Sequence, residues 1–161
     1  MASVLVFLAG CAAVKQGGNA DLESVPGLEA RLRGVGSAAS GMVKVVDRGD
    51  GVTLTLNLTN LLPGRYRLAF HDKATCSSPN LFSAGPAWAP PSAQKSANEL
   101  IPGFAAGSDG DVVFTTHLRG VRADGNDDLR GRTVVLHAGD TIDAAVPDQR
   151  NNRVACGVFD S

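Results

Sequence analysis

The feature that most constrains the fold is a run of nine residues, Gly51–Thr59, in which apolar and polar side chains alternate without interruption. In an extended chain successive side chains point to opposite sides, so four aliphatic residues share one face and three threonines and an asparagine share the other. A period of two over this length predicts a strand of an antiparallel sheet with one buried face.

Similar strand-like segments recur along the chain, separated by turn-forming pairs such as Pro63-Gly64 and Asp109-Gly110, with Asp47–Gly51 as a hairpin turn. The further predicted strands are Met42–Val46, Arg65–His71, Asp111–Leu118, Arg132–His137 and Arg153–Phe159. No segment has a convincing helical period. Several short strands joined by turns predict an all-β sandwich or barrel, and 161 residues predict a single domain.

One long segment interrupts this pattern of short connections. Ser77–Gly110 is rich in Ser, Pro and Ala and carries no strand-length alternation. Loops of this length are uncommon in compact domains and are usually functional or disordered. Cys76 stands where the segment begins, so this cysteine is a candidate for holding it in place.

The first eleven residues resemble a lipoprotein signal. Val4–Ala9 is apolar but too short to span a bilayer, and Leu8–Cys11 (LAGC) resembles a bacterial lipobox, in which the cysteine thiol takes up lipid. No Lys or Arg precedes the apolar run, so a translation start upstream of Met1 stays open. The alternative is an ordinary buried first strand with a free cysteine.

The resemblance to a lipobox implies a domain division and a location. Residues 1–11 would be the signal ending at Cys11, residues 12–27 a flexible polar tether, and residues 28–161 the folded domain. We therefore expect an exported protein of the bacterial cell envelope, anchored by lipid on the periplasmic side of a membrane, where two or more acyl chains give stable attachment. A formal net charge of −1 argues against nucleic acid as a partner.

The cysteine count agrees with this division. With Cys11 assigned to the lipid, Cys76 and Cys156 remain, and an exported protein is in a compartment that permits disulfides. A disulfide bridge between these two cysteines would close the long loop that separates them, and it would stabilise the fold by about 4 kcal/mol in the chain-entropy model.

At this point the chain resembles the copper/zinc superoxide dismutase family over most of Leu28–Phe159. The most specific matches are the last two segments, GRTVVLHAG at 131–139 and NRVACGVF at 152–159. The earlier matches are Gly51-Val52 with its strand, Leu62-Pro63-Gly64, Phe70-His71 with Cys76 five residues after the histidine, Ser83-Ala84-Gly85-Pro86 and Asp109-Gly110. The resemblance implies an eight-stranded Greek-key β-barrel with long loops, a long metal-site loop and a Cys76–Cys156 bridge.

The resemblance also implies a copper site, and here the chain departs from the family pattern. His71 and His137 match two copper ligands, whereas Ala69 and Ala87 stand where the family has its first copper ligand and the ligand shared with zinc. Arg153 matches the arginine that guides superoxide toward copper. Two imidazoles would bind copper weakly and without the tetragonal geometry that Cu(II) favours.

No zinc site is recognisable in the sequence. The segment that should carry the zinc histidines has none: Ser96 matches a zinc histidine position, and only Glu99 could supply the zinc carboxylate. Zinc is therefore not expected as a cofactor, and the second-sphere orientation that zinc gives the shared ligand is lost with it.

Each candidate residue has a structural alternative. His71 and His137 could be ordinary buried polar residues, and Arg153 could tie down a loop instead of attracting an anion. His117 is expected to face solvent, and Trp88, beside Ala87, could cover the altered site. The remaining polar candidates are expected to be loop residues or solvated acids: Glu99, Asp140, Asp143, Asn151 and Asn152.

Three functions stay open on these residues. The first is a non-dismutating or weakly metal-binding domain in the cell envelope. The second is a copper-dependent superoxide dismutase with an altered ligand set, converting superoxide to oxygen and hydrogen peroxide through His71, His137 and Arg153. The third is a copper carrier, although the sequence contains no Met- or Cys-rich copper-binding motif to support it. The candidate partners are thus superoxide, copper ion and a membrane, and the oligomeric state is unknown.

Overall fold

The computed structural model describes residues 26–125, 128–142 and 152–160. These residues form strands, one short α-helix and two single-turn 3-10 helices, Phe82–Ala84 and Pro91–Ala93. In chain order the strands are β1 (Leu28–Gly34), β2 (Ser40–Arg48), β3 (Gly51–Thr59), β4 (Gly64–His71), β5 (Ala87–Trp88), β6 (Phe104–Ala106), β7 (Val112–Arg119), β8 (Thr133–Ala138) and β9 (Arg153–Val158), and helix α1 (Ala97–Leu100) lies between β5 and β6. No helix in the described ranges is long and apolar enough to cross a membrane.

The strands form one curled antiparallel sheet. Its order is β5-β4-β8-β9-β1-β2-β3-β7, with β6 also paired to β4. Strand β3 is followed by β4 at a distant position in the sheet, and β7 is followed by β8 in the same way, which is the crossing pattern of a Greek key. The prediction of an all-β Greek-key fold is confirmed.

The strand predicted from the uninterrupted alternation lies within this sheet as β3. It pairs with β2 on one side and with β7 on the other. Leu54, Leu56 and Leu58 are at most 1% exposed, whereas Thr53, Thr55 and Asn57 lie on the outer face. Strand β1 was not among the predicted strands, although Leu28, Ala30 and Leu32 alternate with exposed charged residues in the same way.

Strand β4 is unusual because both of its faces are covered toward its end. Leu68 and Phe70 lie in the main core, while Ala69 and His71 on the opposite face are also buried. A second, smaller cluster covers that opposite face and contains Leu81, Ala84, Val135 and Cys156, with Val35 packed against it. Residues 77–86, the first part of the long segment after Cys76, therefore cover the outer face of β4 and β8 and are called the covering segment below.

The disulfide Cys76–Cys156 ties this covering segment to the sheet. Its Sγ atoms are bonded and the two Cα atoms lie 5.8 Å apart. Cys156 lies in β9, next to β8 in the sheet. The predicted bridge is confirmed, and it fixes the start of residues 77–86 beside the strands that carry His137 and Arg153.

Candidate metal centre

The two histidines that match copper positions meet on the covered outer face of the sheet. The Nε2 atoms of His71 and His137 are 3.2 Å apart, and both side chains are 0% exposed. The ring planes differ by 17° and the centroids are 5.4 Å apart. Because the centroids are farther apart than the facing nitrogens, the imidazoles meet end to end rather than face to face.

The strand register explains this meeting. In the pairing of β4 with β8, His71 is opposite Thr133 and His137 is opposite Arg67, with Ala69 and Val135 paired between them. All of these positions share one face because side chains alternate across a strand. Ala69 is small, so the two longer side chains can reach toward each other over it.

The other ring nitrogen of each histidine is held by a hydrogen bond. The Nδ1 atom of His71 lies 2.8 Å from the backbone oxygen of Gly85. The Nδ1 atom of His137 lies 3.3 Å from Oδ1 of Asn152, whose Nδ2 donates to the backbone oxygen of Thr141 at 2.7 Å. A carbonyl oxygen can only accept, so these partners assign a hydrogen to both Nδ1 atoms.

This assignment determines what the facing Nε2 atoms can do. A neutral imidazole that carries its hydrogen on Nδ1 presents a lone pair at Nε2. Two such lone pairs point at each other in His71 and His137, and a single cation between them, either a proton or a metal ion, makes the contact favourable. The pair has the donors, and the hydrogen-bonded orientation, of two metal ligands.

Arg153 belongs to the same hydrogen-bond network. Its side chain is 7% exposed, and its guanidinium donates to the backbone oxygens of Leu81 at 2.9 Å and Gly85 at 3.1 Å, with the ring of Phe82 beside it. The oxygen of Gly85 thus accepts from both Arg153 and His71. The arginine ties down the covering segment and fixes the carbonyl that orients a histidine.

The two missing ligand positions lie around this pair. Ala69 precedes His71 by two residues on the same face, and Ala87 in β5 is opposite His71. The suggestion that Trp88 covers the altered site is wrong. Trp88 pairs with Phe70 on the other face of the sheet, packs against the main core, and has Arg132 over its ring at 3.5 Å.

The segment that matches the zinc loop is held by polar contacts of its own. Ser96 precedes helix α1 and donates through its hydroxyl to Oε2 of Glu99 at 2.7 Å. This hydrogen bond lowers the pKa of the exposed Glu99, helped by the backbone of Ser96. Arg67 of β4 donates to the backbone oxygen of Asn98 at 2.6 Å. Within the described parts of the chain, no group of three or more His, Cys, Asp or Glu side chains could hold a metal ion.

The other polar candidates lie apart from the centre. His117 is exposed on β7, as predicted, and bonds Asp50 at 2.8 Å. Asp140 is exposed and forms an ion pair with Arg65. The predictions for Asp143, Asn151 and Cys11 fall outside the described residues, as do the signal and most of the tether.

Two residues of the centre were not predicted. Asn152 is a loop residue directly before β9, as expected, but it was not expected to belong to the centre, where its amide oxygen contacts His137. Gly85 contributes only a backbone oxygen, and a backbone contact leaves no side-chain signal in a sequence. Asn152 stands directly before the strand that carries Arg153 and was considered as a polar candidate, but its contact with His137 is visible only in three dimensions.

The comparisons with known proteins agree with this arrangement. The family model of copper/zinc superoxide dismutase matches residues 39–159, which include every strand except β1 and all the residues of the centre. A search of the curated proteins finds no match. Since the matched region is most of the chain, the protein belongs to the copper/zinc superoxide dismutase family.

Proposed function

We propose that this member of the family is a copper-binding domain of the cell envelope that does not dismutate superoxide. The observation that carries the proposal is the end-to-end pair of His71 and His137, which keeps two oriented donors while alanine stands at the other two ligand positions. Copper is the metal expected from the family, and imidazole is a suitable donor for it.

The loss of dismutation follows from the ligand count. Dismutation requires copper to alternate between two oxidation states in one site, and Cu(II) favours a tetragonal set of nitrogen and oxygen donors. Ala69 and Ala87 have no donor atoms, and both histidines are 0% exposed, which limits the approach of superoxide. Arg153 is bound to two backbone oxygens and so acts here to hold the covering segment.

The location in the envelope is supported by the sequence at Leu8–Cys11. A cysteine-linked lipid would tether the domain to a membrane through residues 12–27. In cell fractionation, Cys11→Ser is expected to move the protein from the membrane to the soluble fraction. Unchanged membrane association of this variant would contradict the anchor and leave the copper proposal unaffected.

The absence of dismutation is tested by measuring superoxide decay with the copper-loaded protein. We expect decay no faster than that caused by the same concentration of free copper, in the wild type and in His71→Ala and His137→Ala alike. His117→Ala is the matched control, because it removes an exposed histidine outside the centre. Decay well above free copper that is lost only in the first two variants would overturn the proposal in favour of an active dismutase.

A further inference from the structure

We infer that residues 89–103, which match the zinc loop of the family, hold their shape without a metal ion, and that Arg67 of β4 anchors them in place of one. The family implies zinc at this segment, and the residues present do not fit that ion. The inference concerns a different part of the molecule from the copper proposal, so neither depends on the other.

The donor atoms of the 89–103 segment do not make a zinc site. Zn(II) in proteins is almost always bound by four ligands drawn from His, Cys, Asp and Glu, and the segment contains a single residue of these types, Glu99. The Glu99 side chain is exposed, and its Oε2 atom accepts from the hydroxyl of Ser96 at 2.7 Å. The two residues at zinc-ligand positions are therefore joined directly, by a hydrogen bond within the segment.

Arg67 links this segment to the sheet. Its Nη1 atom donates to the backbone oxygen of Asn98, in helix α1, at 2.6 Å. The last carbonyl groups of a helix have no partner within the helix, and a cationic side chain is a favourable donor to them. A hydrogen bond from an ionised donor is also stronger than one between neutral groups. The link from Arg67 to Asn98 is thus well suited to hold the short helix against β4.

The Arg67 side chain is enclosed by the segment. A β-carbon at Gly103 would lie 3.8 Å from Cγ and 3.9 Å from Nε of Arg67, so the end of the segment passes close to the arginine that bonds Asn98. The Nε atom is buried and bonds no atom in the described parts of the chain. An arginine that served only as a surface charge would keep this donor in water, because burying it without a partner costs free energy. The burial therefore indicates that Arg67 packs against the segment as well as bonding it.

Apolar side chains and a close backbone contact hold the rest of the segment. Ala93, Leu100 and Ile101 are at most 7% exposed and belong to the main core. Ser92 donates through its hydroxyl to the backbone oxygen of Gly120 at 2.5 Å. A β-carbon at Gly120 would lie 2.0 Å from the backbone oxygen of Ser92, so the approach requires glycine there. Protein groups thus fix the segment to the barrel at several points along its length.

Hydrogen exchange of residues 89–103, measured by mass spectrometry on the full chain, tests whether a metal ion contributes. Protein dialysed against EDTA is compared with the same protein saturated with Zn(II). We expect equal exchange of this segment in the two samples, because its contacts are made by protein groups. Faster exchange after EDTA treatment, or slower exchange with zinc, would overturn the inference.

Variants test the anchor. Arg67→Ala is expected to speed exchange of residues 89–103 by about 10-fold, the effect on local opening of losing one hydrogen bond to a charged group. Arg65→Ala is the matched control, because Arg65 lies on the same face of β4 but forms its ion pair with the exposed Asp140. It should leave the segment unchanged.

Melting curves show whether Arg67→Ala folds. Arg67→Met, which keeps most of the side-chain stem and removes the guanidinium, is the second variant and is expected to speed exchange in the same way. Exchange of the segment as slow in these variants as in the wild type would exclude Arg67 as the anchor. The comparison of EDTA with zinc on the wild type does not depend on either variant.

Discussion

The chemistry of the centre is decided by a few single residues. His71 and His137 retain the direction of ligands because each has its Nδ1 atom bonded to an oxygen behind it. Ala69 and Ala87 remove two donors without disturbing the strands, since alanine fits both faces of a pleated sheet. At the positions that match the family's copper ligands, two imidazoles therefore remain, and the side chains of Ala69 and Ala87 have no donor atom.

Asn152 should determine how well His137 binds a metal. Replacing a residue that orients a metal ligand typically costs 10–100-fold in affinity, so Asn152→Ala is expected to weaken copper binding by about that factor, measured by competition with a copper chelator. Asn57→Ala, an asparagine on the exposed side of β3, serves as the matched control. Equal affinities for Asn152→Ala and the wild type would show that His137 is oriented without the amide.

At the scale of elements, β3 and β4 show how much of the structure the alternation of apolar and polar residues predicts. The alternation in Gly51–Thr59 predicts both the strand and its buried face, because one side of β3 packs in the core and the other meets water. In β4 the same alternation correctly predicts that Leu68 and Phe70 face the core. It does not reveal that Ala69 and His71 are buried too, since that depends on the covering segment.

An ion pair joins the hairpin between β2 and β3 to β7, and its contribution to the stability of the fold should depend on pH. His117 donates to Asp50 at 2.8 Å and Arg119 lies 3.3 Å from the other carboxylate oxygen. The hydrogen bond from His117, with a smaller contribution from Arg119, holds the pKa of Asp50 below its usual value of 3.8. A carboxyl whose pKa is lower in the folded state stabilises the fold above its unfolded pKa, and the effect fades as the pH falls through the folded value.

We therefore expect Asp50→Asn to melt at a lower temperature than the wild type at pH 7, with the two curves converging below pH 3.8, where the wild-type carboxyl also becomes neutral. Thermal scans from pH 7 to pH 2 measure the difference. Asp111→Asn, an exposed acid just before β7, is the control and should follow the wild type. A difference between Asp50→Asn and the wild type that is as large at pH 2 as at pH 7 would contradict the argument.

At the scale of the whole molecule, the disulfide connects the barrel to the centre. Cys76–Cys156 holds residues 77–86 against β8 and β9, and from there Leu81 and Gly85 accept from Arg153 while Gly85 also accepts from His71. The bridge closes a loop of 80 residues, so its loss frees much of the chain in the unfolded state.

Cys156→Ser is expected to lower the free energy of unfolding by about 2–5 kcal/mol, the usual cost of removing a native disulfide. Urea unfolding of the wild type and the variant at one pH measures the change. Cys11→Ser is the matched control, because it removes the cysteine outside the bridge and should leave the transition unchanged. A Cys156→Ser transition identical to that of the wild type would exclude a stabilising role for the bridge.

From the sequence by itself, side-chain alternation and turn residues, which are local properties, predicted the six strands β2, β3, β4, β7, β8 and β9. The resemblance to the family added the Greek-key class, the Cys76–Cys156 bridge, and His71 and His137 as candidate ligands. The tertiary structure decided the rest. Strand register and a segment folding back over the sheet bring His71 and His137 end to end and place Trp88 on the core face. They also bring the backbone oxygen of Gly85 and the amide of Asn152 to the two histidines. Those contacts join residues that are distant in the chain, and some of them are made by backbone atoms. No local sequence pattern could therefore predict them.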